Sequence, residues 1–328
     1  RKEDWEHHEK YDKMVEAAED MFFRTDSHLA PWTIIAAEDM RFALIEVLTH
    51  LRDNMRLALE QHRAAQDPEA PSQDNPRPAA GANGAIARQA GPTILDRVDL
   101  GLSVDKKTYN KELRPLQTTL RQLVMEAYEK SLATIVVYEG WDAGGKGGNI
   151  KRLVARLDPR QYDVISIAKP TGDEITHHYL WRFWQQLPRD GHMAIFDRSW
   201  YGRVLVERIE GFCSEREWRR AYQEINEFES QIADHGTVVV KFWLQIDKEE
   251  QAQRFRAREE TPHKRWKITE EDWRNREKWD VYEPAVVEML QRTSTPHAPW
   301  TIVAANDKRH ARLLALRTVI ERLEAALR

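Results

Sequence analysis

The 328-residue chain has one cysteine, Cys213, so it closes no internal disulfide and suits a reducing cytoplasm. Long apolar runs are missing as well. No stretch approaches the roughly 18 uninterrupted apolar residues of a membrane helix, and no charged-then-apolar leader opens the chain, so no membrane partner is expected. Arg1 is not a natural start, and residues upstream are expected to be missing. Net charge is small, -4, and no nucleic-acid partner is expected. What remains, 41% hydrophobic and 32% charged, is enough for one full core with length left over.

Glycine is sparse too, yet five of the 14 fall between Gly140 and Gly148, in Gly140-Trp-Asp-Ala-Gly-Gly-Lys-Gly-Gly148. They follow the apolar run Thr134-Ile-Val-Val-Tyr-Glu139 and precede a helical stretch. That order is built to hold phosphate. Gly144, Gly145, Gly147 and Gly148 let the backbone curl until several N–H groups face one anion. The helix N-terminus adds partial positive charge, and Lys146 brings a mobile full charge. The strict pattern, G-x4-G-K-S/T, is met from Gly140 to Lys146 and fails at Gly147, where the hydroxyl that normally touches Mg2+ is absent. Asp142, inside the loop, is the replacement, since a carboxylate among backbone donors and phosphates is costly without a cation beside it.

Met193-Ala-Ile-Phe-Asp197 is a short apolar run ending in an aspartate, the way a parallel strand delivers a carboxylate to the sheet edge beside a phosphate loop. Arg198 and Arg203 follow within Arg198-Ser-Trp-Tyr-Gly-Arg203, where planar forks can grip phosphate oxygens bidentately. The alternative for Arg198 is a salt bridge capping a helix. Further on, Gln253 to Lys267 concentrates positive charge: Arg254 and Arg258 share a helical face, and beyond Pro262 lie Lys264, Arg265 and Lys267. A basic lid over a phosphate site fits this run, against the plainer reading of a solvated helix face. Lys169 and Glu174, in Lys169-Pro-Thr-Gly-Asp-Glu174 after the second strand, are candidates for touching an acceptor nucleotide, with an ordinary strand-to-helix turn as the alternative. Tyr179, Trp181, Phe183 and Trp184 are expected in the core, and His177 and His178 lack the spaced partners of a zinc site.

The loop Gly140 to Gly148, Phe196-Asp-Arg-Ser-Trp-Tyr-Gly-Arg203, and Arg254-Phe-Arg-Ala-Arg258 with Lys264-Arg-Trp-Lys267 together resemble the polyphosphate kinase 2 family, in particular its polyphosphate:AMP phosphotransferases. The likeness runs from about Leu95 to Leu327. It implies Mg2+-dependent transfer of the terminal phosphoryl group of inorganic polyphosphate to a nucleotide, AMP or ADP. By that resemblance, Asp142 and Asp197 hold magnesium and Lys146 and Arg198 hold the transferring phosphate. Arg203, Arg254, Arg258 and Lys267 hold the anionic substrates.

The chain also repeats itself at a constant offset of 268 residues, and 19 of the forty positions from Asp4 to Ala43 match their partners. Ala30-Pro-Trp-Thr-Ile-Ile-Ala-Ala37 aligns with Ala298-Pro-Trp-Thr-Ile-Val-Ala-Ala305. A duplication explains this. Residues 1–60 then read as the closing fragment of a first kinase-like copy, with a buried strand at Trp32 to Ala37. Residues 61–92, rich in Ala, Pro, Gln, Asn and Gly, read as a linker, and 93–328 as the complete catalytic domain. A lone strand lacks ladder partners, so the first fragment is expected to associate, and a homo-oligomer is expected.

Strands are expected at Thr134 to Tyr138, Val164 to Ala168, Met193 to Phe196, Val238 to Ile246 and Trp300 to Ala304. Helices are expected at Tyr109 to Lys130, Gly147 to Leu157, Asp173 to Leu187, Glu215 to His235, Lys248 to Glu259, Glu270 to Gln291 and Lys308 to Leu327. The fold class is α/β, a P-loop kinase-like three-layer sandwich with a parallel sheet and helical lid. An attacking nucleotide phosphate is already anionic, so no protein nucleophile is needed and catalysis reduces to positioning and charge neutralisation. An ATP-using nucleotide kinase and a non-catalytic polyphosphate-binding protein are the rival classes.

Overall fold

The computed structural model describes residues 10–66, 91–261 and 270–328, in two units, 1–81 and 82–328. In the first unit, helix α1 (Tyr11–Thr25) and helix α2 (Met40–Gln66) are the described regular elements. Helix α2 runs into the expected linker, whose residues 67–90 lie outside the described residues. The expected strand at Trp32 to Ala37 does not form. Trp32 and Ile34 are 49% and 77% exposed, because no neighbouring strand among the unit's described residues is there to pair with them.

The second unit opens with helix α3 (Lys106–Glu129), whose first turn is capped by Asp105 accepting from the amides of Lys107 and Thr108. Then follow β1 (Thr134–Gly140), α4 (Lys146–Leu153), β2 (Tyr162–Ser166), the one-turn α5 (Trp181–Trp184) and β3 (Met193–Asp197). Next come a one-turn α6 (Val206–Ile209), α7 (Glu215–Asp234), β4 (Val238–Gln245), α8 (Lys248–Glu260) and α9 (Glu270–Glu277). The chain closes with α10 (Trp279–Thr293), β5 (Trp300–Ala304) and α11 (Lys308–Leu327). All five strands are parallel, in the order β2-β3-β1-β4-β5. Strands β1, β3 and β4 are buried almost throughout, which is why they read as continuous apolar runs.

Alternation along the strands separates the layers. Lys241 of β4 points toward α7 and the end of α10, bonding Glu229 and the Thr293 carbonyl. Its neighbour Phe242 packs at a tilt against Tyr138, whose hydroxyl meets Asn149 of α4, and Asn149 in turn donates to the Ala311 carbonyl of α11. Helices therefore cover both faces, as expected of the three-layer class.

Two expected helices are altered. The segment Asp173 to Leu187 is a short 3-10 turn, Gly172–Ile175, followed later by α5. The Asp173 carbonyl is contacted by the Thr176 amide, the Thr176 hydroxyl and His177 Nδ1, a local competition that stops helix propagation. The expected Glu270 to Gln291 helix is two helices meeting at Lys278, whose ammonium lies 2.7 Å from both Glu210 oxygens. Helix α7 starts at a closed capping box, with Ser214 receiving the Glu217 amide and Glu217 returning to the Ser214 amide. Ser214→Ala is expected to cost about 1 kcal/mol of stability, read as a shifted urea midpoint. The Ser214 hydrogen bonds lower the Glu217 carboxyl below its ordinary value. That contribution is present above the unfolded value and is lost as pH falls through the lowered folded one, so wild type and variant should converge in acid.

Candidate active site

The chain reverses direction across the sheet at β1, which leaves a crevice at the carboxyl ends of β1, β3 and β4. The phosphate loop fills it. Gly140 adopts φ +150°, and a Cβ there would stand 2.7 Å from the Leu244 carbonyl of the neighbouring strand. A side chain is thus excluded where β1 turns into the loop. Gly145 (φ +109°) completes the curl ahead of α4. Ala143 and Arg198, neither of them glycine, also hold positive φ, +59° and +66°, so left-handed strain is concentrated at this crevice.

The structure brings Asp142, Lys146 and Arg198 together, with Asp197 beside them. Arg198 Nη2 donates to Asp142 Oδ1 at 3.0 Å, Asn275 Nδ2 to Asp142 Oδ2 at 3.2 Å, and Gln251 Nε2 to the Asp142 carbonyl at 3.0 Å. Burial opposes charge on Asp142, but Lys146 and Arg198, helped by the Asn275 hydrogen bond, hold its carboxyl below the usual range. Lys146 is folded onto the loop, 2.7 Å from the Gly140 carbonyl and 3.3 Å from that of Trp141. Burial lowers the pKa of its ammonium, against the pull of Asp142, Asp197 and Glu139. Tyr138 and Asp197 face each other across β1 and β3, which sets Asp197 level with the end of the loop strand.

Glu139, the last buried side chain of β1, accepts from the Ser199 hydroxyl at 2.8 Å, and burial raises its carboxyl pKa. Beneath the Asp197–Arg198 turn lies a fully buried polar network. Lys241 Nζ donates to Tyr201 Oη, Glu229 Oε2 and the Thr293 carbonyl, each at 2.7 Å. Glu229 Oε1 accepts from Tyr201 Oη at 2.7 Å and Trp200 Nε1 at 3.0 Å. Sequence periodicity alone gives no hint of this lysine within an otherwise apolar strand.

Other expected site residues are placed differently. Arg254 is buried, and all five of its N–H groups are spent. Nε meets Glu250, Nη1 the carbonyls of Ala143 and Gly144, and Nη2 those of Ala305 and Asn306, between 2.6 and 3.0 Å. Rather than gripping a substrate, it ties the phosphate loop to the turn between β5 and α11. Arg254→Lys keeps a charge but loses the planar five-donor fork. It is expected to lower kcat by about tenfold to a hundredfold through loop misplacement, with an unchanged circular dichroism spectrum.

Arg203 lies 3.1 Å from Glu207 and 3.9 Å from Glu217, over the ring of Tyr179, and lines neither cavity beside the loop. Its charge is met by those two carboxylates. Glu174 closes a capping box with Thr171 and sits 3.6 Å from Arg182, and Lys169 is exposed; neither joins the cluster. Lys264 and Lys267 lie outside the described residues. Phe183 is core, as expected, while Trp184 packs edge-on to Phe228 and is partly exposed.

Two cavities open beside the loop. One, of about 240 Å3, is bordered by Glu139, Asp142, Arg198, Trp141, Val206 and Tyr282 among others. The second, of about 220 Å3, takes in Gly144, Gly145 and Gly148 and four cations: Arg254, Arg258, Lys308 and Arg312. Lys308 and Arg312 stand one turn apart at the start of α11 and escaped the sequence reading. The repeat carried a signal for them: the matching positions in the first copy are Met40 and Leu44, so cations stand here where apolar residues also serve the helix.

A magnesium ion fits the donor set. Among the described residues no group of three or more His, Cys, Asp or Glu forms a closed cage. Mg2+ characteristically takes one or two carboxylates and fills the rest of its shell with water and phosphate. A Cβ on Gly147 would stand 3.8 Å from Asp197 Oδ2, so the loop position that lacks the usual hydroxyl lies directly against that carboxylate.

Fold and loop place the chain among phosphate-loop α/β proteins of the kinase type. A sequence model described as polyphosphate kinase 2 matches residues 1–63 and 103–328. Polyphosphate:AMP phosphotransferases of Pseudomonas syringae pv. tomato and Pseudomonas aeruginosa are 48% and 46% identical over 324 residues, each alignment taking in 98% of this chain and 63% of the relative. A solved structure from Pseudomonas aeruginosa assigned to polyphosphate kinase 2 superposes with a TM-score of 0.83 at 45% identity, over 98% of this chain and 63% of that one. The chain belongs to the polyphosphate kinase 2 family. It spans 63% of the length of these relatives.

Proposed function

We propose that this chain transfers the terminal phosphoryl group of inorganic polyphosphate to AMP, giving ADP, with Mg2+ held by Asp142 and Asp197. The observation that carries the reading is the meeting of Asp142, Lys146 and Arg198 at the mouth of a glycine loop, beside a cleft lined by four cations and no carboxylate. Such a cleft suits a chain of phosphates. Arg258, Lys308 and Arg312 hold the polymer. The loop amides and Lys146 hold its terminal unit, and Arg198 neutralises charge as the unit passes to the acceptor oxygen. Bound Mg2+ supplies charge neutralisation across the two phosphate groups. The relatives' naming as AMP phosphotransferases favours AMP over ADP as acceptor.

The test is an acceptor panel, AMP and ADP with polyphosphate and AMP with ATP, the products separated by chromatography. ADP formed from AMP and polyphosphate supports the reading. Preferential formation of ATP from ADP moves the acceptor, and turnover with ATP alone as donor rejects the polyphosphate assignment. Gly147 argues against the ATP-using class, because ordinary loops of that class place a hydroxyl there.

The first unit is read as the closing part of an earlier copy. In support, the family match includes residues 1–63, and α1 and α2 begin 268 residues before α10 and α11. Local bonding repeats as well. Trp32 Nε1 donates to Thr25 Oγ1 at 2.8 Å, and Trp300 Nε1 to Thr293 Oγ1 at 2.9 Å. Ile45, Val47, Leu48, Leu51 and Met55 are exposed in α2, whereas α11 buries the matching Leu313, Ala315, Leu316, Val319 and Leu323. That exposed apolar face supports association.

A further inference from the structure

We propose that Ser199 and Glu139 are positioning residues: their hydrogen bond, closed to solvent, fixes the left-handed turn that aims the Arg198 guanidinium at Asp142. The proposal rests on the phosphotransfer reading above, in which Arg198 neutralises charge as the phosphoryl unit passes. It also gives a role to the buried carboxylate of Glu139, which that reading does not use.

The need for a clamp comes from the backbone. Arg198 holds φ +66° without being glycine, asparagine or aspartate, and a left-handed residue of that kind persists only where its surroundings over-determine it. On the upstream side the sheet does this. The Arg198 amide donates to the Tyr138 carbonyl at 3.0 Å, and the Asp197 carbonyl accepts from the Ile167 amide at 3.1 Å. Pairing of β1 with β3 ends at Tyr138 and Asp197, so no ladder holds the chain downstream of Arg198. Side chains take over there.

Ser199 is the first of them. Its Oγ donates to Glu139 Oε1 at 2.8 Å and accepts from the Tyr201 amide at 3.4 Å, capping the 3-10 turn Trp200–Val204. Trp200 and Tyr201 follow, both bonded to Glu229. Strand register explains why Glu139 is within reach. It stands level with Trp243 of β4, two residues beyond Lys241, and so lies on the sheet face that carries the Lys241 network. The Ser199 to Tyr201 segment folds onto that same face, where Tyr201 meets Lys241.

Exposure separates the base of the turn from its tip. Ser199 and Glu139 are 2% and 5% exposed, so water does not compete for their bond and a lost partner is not replaced. The Arg198 side chain, by contrast, is 55% exposed. An open guanidinium therefore stands on an anchored backbone. Burial works against charge on Glu139, and Lys146, the Ser199 hydroxyl and Arg198 offset it, so the carboxylate serves the turn by hydrogen bond and the guanidinium by charge.

Amide hydrogen exchange of the 328-residue chain, followed by mass spectrometry, reads the clamp without turnover. In Ser199→Ala and in Glu139→Ala the Arg198 amide is expected to exchange at least about tenfold faster than in wild type, while Glu139→Gln, whose amide oxygen accepts the same bond, stays within about twofold. Unchanged protection in either alanine variant, or equal loss in Glu139→Gln, overturns the proposal. Kinetics give a second arm. Ser199→Ala is expected to lower kcat by about tenfold to a hundredfold with both substrate KM values within about threefold, because Arg198 acts as charge develops. In an Arg198→Ala background the same change is expected to alter kcat by less than about twofold, since the clamp has nothing left to aim. An equal loss in both backgrounds means that Ser199 acts through something other than Arg198 and rejects the assignment. Should Ser199→Ala fail to fold, adding Glu139→Gln removes the hydroxyl without stranding a buried carboxylate, and that double variant takes its place in both comparisons. A wild type that transfers nothing from polyphosphate fails the functional reading instead, and the exchange pattern still decides the clamp.

Discussion

Lys146→Ala is expected to lower phosphoryl transfer by about a thousandfold or more while leaving the fold intact. The side chain reaches the Gly140 and Trp141 carbonyls and sits among Asp142, Asp197, Glu139 and Arg198, so its charge lies within the loop itself. Loss of its charge would remove the partner proposed to meet the transferring unit. Folding should survive, since burial already disfavours the ammonium and alanine suits the first turn of α4. Asp197→Asn should fall as far for a different reason, loss of a carboxylate proposed to hold magnesium, and extra Mg2+ should restore part of its rate but none of that of Lys146→Ala. Initial rates across a magnesium series, with thermal melts of both variants, make the check. Wild-type turnover in either variant would contradict the assignment.

The largest stability effect is expected at Lys241→Met. Its ammonium binds Tyr201, Glu229 and Thr293 in a site closed to solvent. Methionine fills similar space but leaves the Glu229 carboxylate buried without its cation, at a cost of about 3–5 kcal/mol. Adding Glu229→Leu removes the stranded charge, so the double variant should regain a good part of the loss. The Trp200 indole, the Tyr201 hydroxyl and the Thr293 carbonyl still lose partners, so recovery stays incomplete. Chemical denaturation of the single and double variants measures the coupling. An unshifted midpoint for Lys241→Met would mean the network contributes nothing to stability.

Much of the architecture was legible because parallel strands covered on both faces spell themselves as apolar runs. All five appear within two residues of their expected ends. The glycine loop was legible for a similar reason: its function lies in backbone shape, and backbone shape is written in glycine. Arginines are another matter. Arg198, Arg203, Arg254 and Arg258 look alike in sequence, yet each takes its job from what stands opposite it. Arg254 finds carbonyls, Arg203 finds carboxylates, and Arg198 meets Asp142. Asn275 lies 133 residues from the aspartate it touches, and no local pattern announces such a partner. The segment from Trp32 to Ala37 carries nearly the same letters as β5, but a strand exists only where another strand receives its hydrogen bonds, and β5 has β4.

Helix α11 opens with Lys308, Arg309 and Arg312 and has no acidic residue in its first turn, so positive side chains crowd the end where the peptide dipole is already positive. An engineer seeking a more heat-resistant protein would place glutamates there and gain about 0.3–1 kcal/mol for each well-placed one. The same change would put negative charge into the cleft that faces Arg254 and Arg258. Thermal hardening of this turn and the proposed hold on a polyanion therefore pull in opposite directions.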